Sequence, residues 1–409
     1  MRVLKFGGSS LATGQRFIEV ANIIKNKSQS SRLAVVVSAP QGVTNHLVAM
    51  AENISDEDKL KSDLLHFKHA IDNIIEDLSA RLPKFCPQHS EQVLAHWEQQ
   101  LSRYLHGATL LSFCPEHVRA RIISIGERLS VALLQSVLAA DEYQVSVIEP
   151  ERFLRTNDVA MNAVADLVLC KDTFQNVYSD LNAIALMPGF IGVDSLGNIT
   201  TLGRNGSDYS AAVLAVCSEA EYCEIWTDVD GVYNADPRLI KEAKLLDYLS
   251  YQEAMELSYF GASVLHPKTI GPIAQHHIPC LIKNTGNPDA PGTLIANEND
   301  QSKRVKAISN LDDLTMVNVS GPGMKGMVGM ASRVFATMSR EKISLILISQ
   351  SSSEYCISFC IYSSDADKAE QSLQEEFELE LLNGLLEPLT LTHQLSIVSL
   401  VGDGMHHQQ

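Results

Sequence analysis

Several ordinary things are scarce in this 409-residue chain, and each shortage removes a class of answer. Basic residues are outnumbered: 32 Lys and Arg stand against 49 Asp and Glu, for a formal net charge of −17. A surface of that sign repels a phosphate backbone, so nucleic-acid binding is excluded as a general role, although a local pocket can still be basic. The eight cysteines contain no CxxC pair. Scattered thiols in a long chain read as small buried hydrophobes in a reducing compartment, which sets aside a zinc or disulfide framework. No run of about 18 apolar residues occurs, so no membrane partner or span is expected. The opening MRVLKFGGSS lacks the apolar stretch of a secretory signal, and the expected location is the cytoplasm. The phosphate-loop pattern GxxxxGK[ST] is missing, no Ser-His-Asp triad stands out, and a dinucleotide-type G-x-G-x-x-G is not expected beyond residue 300.

What is present is apolar material for real cores. Hydrophobic residues make up 45% of the chain, enough for two or three domains at the usual ~100–200 residues each. Residues 2–6 and 33–38 read as apolar strands around a helical pattern, a parallel strand–helix–strand unit. Residues 45–110 read as polar helices, more a cap or insertion than sheet. An amphipathic helix is predicted over 118–140, and strands over 143–149, 183–193, 222–227 and 279–283. A short hairpin arm is expected at 197–202, and helices at 251–260 and 266–276. The alternation predicts an α/β fold, a doubly wound, mainly parallel sheet over residues 1–295. The polar stretch ANENDQSKR then marks a linker. Beyond it the order is strand, helix, strand, strand, helix, a small α+β unit over about 314–380.

An internal repeat follows. Val317-Asn-Val-Ser-Gly-Pro-Gly-Met324 aligns with Val398-Ser-Leu-Val-Gly-Asp-Gly-Met405. In the second copy only four residues come after, so a second unit is expected to be cut short, at about 394–409 within a region 304–409.

Four clusters carry chemistry. In Lys5-Phe-Gly-Gly-Ser-Ser10 a lysine ends a strand and two glycines precede a helix start, which reads as a phosphate cradle or as a tight turn. In Gly203-Arg-Asn-Gly-Ser-Asp-Tyr-Ser210, Arg204 can grip a carboxylate or phosphate and Asp208 an ammonium group or a metal; helix capping is the plainer reading. The segment Trp226–Arg238 follows a strand and so sits at the carboxyl edge of the sheet, where its three aspartates and arginine suit a Mg-nucleotide. The spacing of Asp228 and Asp230 resembles a calcium loop, but the twelfth position is Leu239 rather than glutamate, which excludes calcium. In the fourth cluster, His266 reads as a structural histidine, and Lys268 after a proline could reach a phosphate.

Taken together, KFGGSS, VVVSAPQGVTNHL, Gly126-Glu127, LGRNGSDYSAAVLA, WTDVDGVYNADPR, QEAMELSYFGASVLHPKT, KNTGNPDAPGT and SGPGMKGM resemble the aspartate kinases of the amino-acid kinase family. The resemblance is strongest to the kinase and regulatory part of threonine-sensitive bifunctional aspartokinase/homoserine dehydrogenases. It implies transfer of the ATP γ-phosphoryl group, with Mg²⁺, to the β-carboxylate of L-aspartate. By position it implies catalytic roles for Lys5 and Asp208, and aspartate binding by Thr44, Glu127, Arg204 and Ser207, with Glu127 on the substrate ammonium. It further implies nucleotide binding by Gly7, Gly8, Ser9, Thr227, Asp228, Tyr233, Arg238 and Lys268. No direct protein ligand to the metal is assigned. Ser9 stands where threonine is common and keeps the hydroxyl.

The same resemblance makes the 314–380 unit an ACT-type amino-acid sensor, with threonine as effector near Met324, Gln350 and Ser351; the serines there also read as a solvated turn. A homo-oligomer, dimer or higher, is implied. With no dehydrogenase-sized segment, homoserine dehydrogenase activity is not expected. The lone strand of the second unit is expected to leave an unpaired edge or an exposed apolar face, weaken threonine inhibition and promote self-association. Two other readings stay open: a related kinase with another acceptor, such as glutamate, carbamate or a nucleoside monophosphate, and a catalytically inactive sensor or scaffold.

Overall fold

The computed structural model describes the chain except residues 179–180, 262–263, 265, 298–304, 325–327, 351–354 and 404–409. It divides into two units, Met1–Ala307 with Gly402–Gln409, and Ile308–Val401.

The first unit is built on strands β1 (Arg2–Phe6), β2 (Leu33–Val37), β3 (Val145–Val147), β4 (Ile184–Pro188), β5 (Ile191–Val193), β6 (Ile199–Thr201), β7 (Tyr222–Thr227), β8 (Tyr248–Ser250), β9 (Cys280–Asn284) and β10 (Thr293–Ala296). Eight of them form one sheet in the order β3-β4-β2-β1-β7-β9-β10-β8, while β5 and β6 make a separate hairpin. The centre is parallel: Lys5 lies level with Val36 of β2 and Ile225 of β7, and Trp226 of β7 is level with Lys283 of β9. β2, LAVVV, is buried along its whole length, as a strand covered on both faces must be. The antiparallel β9–β10 pair and the short edge strand β8 extend the sheet on one side. The carboxyl ends of β1, β2, β4, β7 and β9 therefore share one edge.

Helices α1 (Gly14–Ser28), α2 (Val43–Glu52), α3 (Glu57–Arg81), α4 (Pro87–Leu111), α5 (Glu116–Ile123) and α6 (Ile125–Ala140) precede β3. Short polar caps start some of them: the Thr13 side chain accepts from the Arg16 amide, and the Asp56 side chain from Lys59. Residues 45–110 are helical, but they are more than a cap. Phe67, Ile71, Ile74, Leu78, Leu94, Leu101 and Leu105 join the same core as Phe6, Val35 and Leu186. The run Glu116–Ala140 is long and apolar enough by composition to cross a membrane, but 83% of its apolar window is buried in the protein, as in a core helix. Helix α7 (Leu167–Val177) leads to β4. Helix α8 (Gly206–Cys217) is buried at every residue except Asp208, so its polar opening turn is the part that stays in reach of solvent. Helices α9 (Tyr251–Tyr259) and α10 (Pro267–Gln275) complete the unit; α9 starts with a full capping box between Ser250 and Glu253. Glu253 also receives Lys306 Nζ at 2.8 Å and the Asp403 amide at 3.1 Å.

In the second unit β11 (Ala307–Ser320), α11 (Met330–Arg340), β12 (Leu347–Gln350), β13 (Cys356–Tyr362), α12 (Ala366–Glu376), α13 (Glu378–Leu382) and β14 (Thr390–Val401) follow in order. The sheet order is β12-β13-β11-β14, with β13 antiparallel to both β11 and β12. Its core gathers Val317, Val319, Val334, Met338, Phe359, Leu373 and Phe377. The strand expected to stand alone does not: β14 adds to the sheet beside β11. Its outer side is still the sheet edge, and Val398 and Leu400 are 67% and 56% exposed. The letters G-x-G-x-x-G do occur beyond residue 300, at 321–326. They follow β11, which pairs antiparallel with β13, so the strand–helix–strand setting of a dinucleotide fold is absent there.

Candidate active site

Lys5 is the penultimate residue of β1, before the buried Phe6, and is itself 8% exposed. Its Nζ lies 2.6 Å from Asp208 Oδ1, at the start of α8. That oxygen is buried and accepts no hydrogen bond among the described residues, so the lysine charge is what compensates it. A side chain on Gly7 would stand 3.4 Å from the lysine Nζ, so glycine keeps the approach to the ammonium open. The Gly7 amide donates to Trp226 O at 3.2 Å, which leaves Gly8 and Ser9, in a short 3-10 turn, as the loop's outward residues.

Ala39, after β2, joins this loop to a second set of residues. A Cβ on Gly8 would lie 3.0 Å from Ala39 O, and one on Gly126 would lie 2.6 Å from Ala39 Cβ. The tight fit places Glu127, in the first turn of α6, against the same wall. Glu127 is 4% exposed, and its Oε2 has no hydrogen-bond partner among the described residues. Burial pushes its carboxyl up to about 7, against the opposing pull of the Glu127 and Ala39 amides. A carboxylate in this state is set to receive a cationic group. Thr44 sits half-buried in the opening turn of α2, after Gly42 with φ 84°.

The third set is the loop before α8. Asn205 adopts φ 54° to start the helix, Arg204 is exposed and Ser207 is buried. Lys268, at the start of α10, donates to Asn162 Oδ1 and to Leu202 O, the latter at 3.3 Å. Burial lowers its pKa. His266 caps α10 by accepting from the Lys268 amide at 3.1 Å. Its ring is held below the usual histidine range first by burial and then by the Lys268 charge; Arg204 acts the same way and Asp208 opposes them. Arg204, Asp208, His266 and Lys268 therefore share one electrostatic neighbourhood.

The loop after β7 is more self-contained. Thr227 Oγ1 contacts Asp228 Oδ1 at 3.1 Å, and Thr227 O accepts from the Thr285 amide at 2.9 Å. Asp230 is taken up by Asn284 and Asn287. Tyr233 bridges to Leu245. Arg238 folds back on Asp236, with Nη2–Oδ2 2.8 Å, and its side chain is 83% exposed.

Thus Lys5, Gly7, Gly8, Asp208, Glu127 and the Arg204–Lys268 group converge on the sheet edge, whereas Arg238 is engaged by its own loop. Met324 and Gln350 belong to the second unit, and Ser351 lies outside the described residues. Sequence reasoning missed Asn162, which anchors Lys268, and Ala39, which seats Gly8 and Gly126. It also passed over Lys283, buried over the Trp226 ring at 5.7 Å. Asn162 carried no local signal; Lys283 stood in KNTGNPDAPGT at a strand end, a position that could have marked it.

The chain matches the amino acid kinase family over residues 1–284 and an ACT domain over 317–377. It is 44% identical over 412 residues to the bifunctional aspartokinase/homoserine dehydrogenase of Buchnera aphidicola and 46% identical over 409 residues to that of Haemophilus influenzae. Each match covers 99% of this chain and 50% of the relative, so the chain spans about half the length of these curated relatives. It is also 30% identical to the lysine-sensitive aspartokinase 3 of Escherichia coli, covering 98% of this chain and 87% of that protein. A solved structure of E. coli aspartokinase III in complex with aspartate and ADP superposes with TM-score 0.85 at 28% identity, over 100% of this chain and 89% of that one. The parallel sheet, the cradle at its carboxyl edge and these matches together establish that the chain belongs to the amino acid kinase family, among the aspartokinases.

Proposed function

We propose that the chain transfers the γ-phosphoryl group of ATP to the β-carboxylate of L-aspartate, giving 4-phospho-L-aspartate and ADP, the first step toward lysine, threonine and methionine. The observation that carries this reading is Glu127: a buried carboxylate with an unpartnered oxygen, set on the wall that also seats the Lys5 loop. It supplies the recognition of an amino acid's ammonium group that a kinase for a simple carboxylate or a nucleotide does not need.

The roles follow from charge. The attacking β-carboxylate is already an anion near neutral pH, so no general base is required. The obstacle is repulsion between that anion and the phosphates, and catalysis is positioning with charge compensation. Lys5 stands between the loop glycines and Asp208, where its ammonium can pass from Asp208 to the transferring phosphoryl oxygens. Gly8 and Ser9 present backbone and hydroxyl donors to phosphate. Arg204 takes the α-carboxylate, with Ser207 and Thr44 alongside. Thr227, Asp228, Tyr233, Arg238 and Lys268 are assigned to the nucleotide; Arg238 must first leave Asp236, and Lys268 reaches it from its anchorage on Asn162. Asp208 and the exposed Asp228 keep carboxylate oxygens that suit Mg²⁺, which supplies phosphate charge neutralisation when bound. The ACT-type unit is assigned to amino-acid sensing, with threonine as effector and Met324 and Gln350 beside its site.

The test is ADP release with ATP, Mg²⁺ and L-aspartate, trapping the acyl phosphate with hydroxylamine, with and without threonine. Aspartate-dependent hydroxamate that falls by about 10²–10³-fold in Lys5→Ala is expected. Binding of ATP without turnover in the unmodified protein would instead favour a sensor or scaffold.

A further inference from the structure

Outside this site, three metal-binding side chains meet on the hairpin of α2 and α3. His46 comes from α2, and Asp63 and His66 are one turn apart on α3, so they share a face. One ligand atom from each lies within 4.8 Å of the other two. His46 Nδ1 and Asp63 Oδ1 are 3.6 Å apart. That is too long for a hydrogen bond. It is close to the edge, about 3.3 Å, of a tetrahedron around a zinc ion with bonds of about 2.0–2.1 Å. The two imidazoles stand face to face, with centroids 5.5 Å apart and 30° between planes.

The surrounding charges leave the set free. Lys59, Lys61 and Lys68 on the same helix pair with Asp56, Glu57 and Glu98. None of them takes Asp63, whose only ionic neighbour among the described residues is His46. His46 and Asp63 are half-buried and His66 is exposed, so an ion can enter without opening the core.

We propose that His46, Asp63 and His66 bind one late first-row divalent ion of the zinc class, with water completing the shell. Two imidazoles and a carboxylate select such an ion over magnesium or calcium, which prefer oxygen alone. His46 is two residues beyond Thr44, so the two side chains leave α2 on different sides. The ion is a brace across the α2–α3 hairpin, not a participant in phosphoryl transfer.

The full chain, stripped with a chelator, is titrated with Zn²⁺ against a chromophoric competitor, and separately with Co²⁺. One ion per chain is expected. His46→Ala and His66→Ala should each weaken binding by more than about tenfold, since losing a direct ligand exceeds the about 10–100-fold cost of losing an outer partner. The double variant should abolish it, and His69→Ala, an exposed histidine on the same helix, should leave it unchanged. The cobalt form of the unmodified protein should show visible d–d bands without a thiolate charge-transfer band. Absence of binding, binding that persists in the double variant, or a thiolate band would each overturn the proposal; the cobalt spectrum does so without relying on any variant's folding.

Discussion

Replacing Glu127 by glutamine separates two things the buried carboxylate does. In the ligand-free protein its pKa is raised from an ordinary 4.5 to about 7. Between those values the folded chain holds a proton that the unfolded chain has released. The stabilising effect of the protonated form is complete below 4.5 and is lost as pH rises through about 7. At 1.36 kcal/mol for each pH unit of difference, this one group removes about 3 kcal/mol by pH 8. Glutamine does not titrate, so ligand-free Glu127→Gln should gain most of that, about 2–3 kcal/mol, over the unmodified protein between pH 5 and pH 8. Urea unfolding read by tryptophan fluorescence suits the measurement, because Trp97 and Trp226 both lie in the first unit. Activity should move the other way. Losing a charge-assisted bond to the substrate ammonium, about 1.5–3 kcal/mol, should raise the aspartate KM about 10- to 100-fold. An equal pH dependence in the two proteins would refute the burial argument. An unchanged KM would refute the assignment of the ammonium.

Two further outcomes test the packing. Gly126→Ala drives a methyl into Ala39 Cβ and Val43 Cγ1; it should cost about 1–3 kcal/mol, seen as a lower thermal midpoint, and an unshifted midpoint would show that α6 can retreat from the β2 loop. Glu253→Gln strands Lys306, whose side chain is 4% exposed. It should destabilise by about 3–5 kcal/mol in chemical unfolding. The double change Glu253→Gln with Lys306→Met should recover much of that; no recovery would mean the pair matters through something other than its charges.

The parallel heart of the first unit was legible because a strand buried on both faces must be an unbroken apolar run, as β2 is. The edge was not. β8 and β10 are three and four residues long, too short for an alternating pattern to rise above its neighbours. The helices at 57–111 showed their period but not their destination: Phe67 and Leu101 look alike whether they face a separate cap or the main core. Strand pairing is non-local, so the partner of β14 could not be read from its letters. Among the site residues, Lys5 and Arg204 stood out because glycine punctuates them. Glu127 was recoverable only through resemblance, since its burial depends on a glycine fitting against Ala39, 87 positions earlier in the chain. The set His46, Asp63 and His66 was invisible for a similar reason: two of its members share a helix face, but the third needs the turn between helices.

Glu253 touches the chain at two widely separated places, Lys306 and the amide of Asp403. Everything in the second unit lies between those points. Its first and last strands, β11 and β14, are sheet neighbours, so the segment leaves and returns through one small patch. Closely spaced ends are what permit one domain to be spliced into the loop of another without stretching the host. The ACT unit can thus be regarded as a cassette whose two ends meet, and exchanging it for another fold with adjoining ends would leave the chain path of the first unit intact.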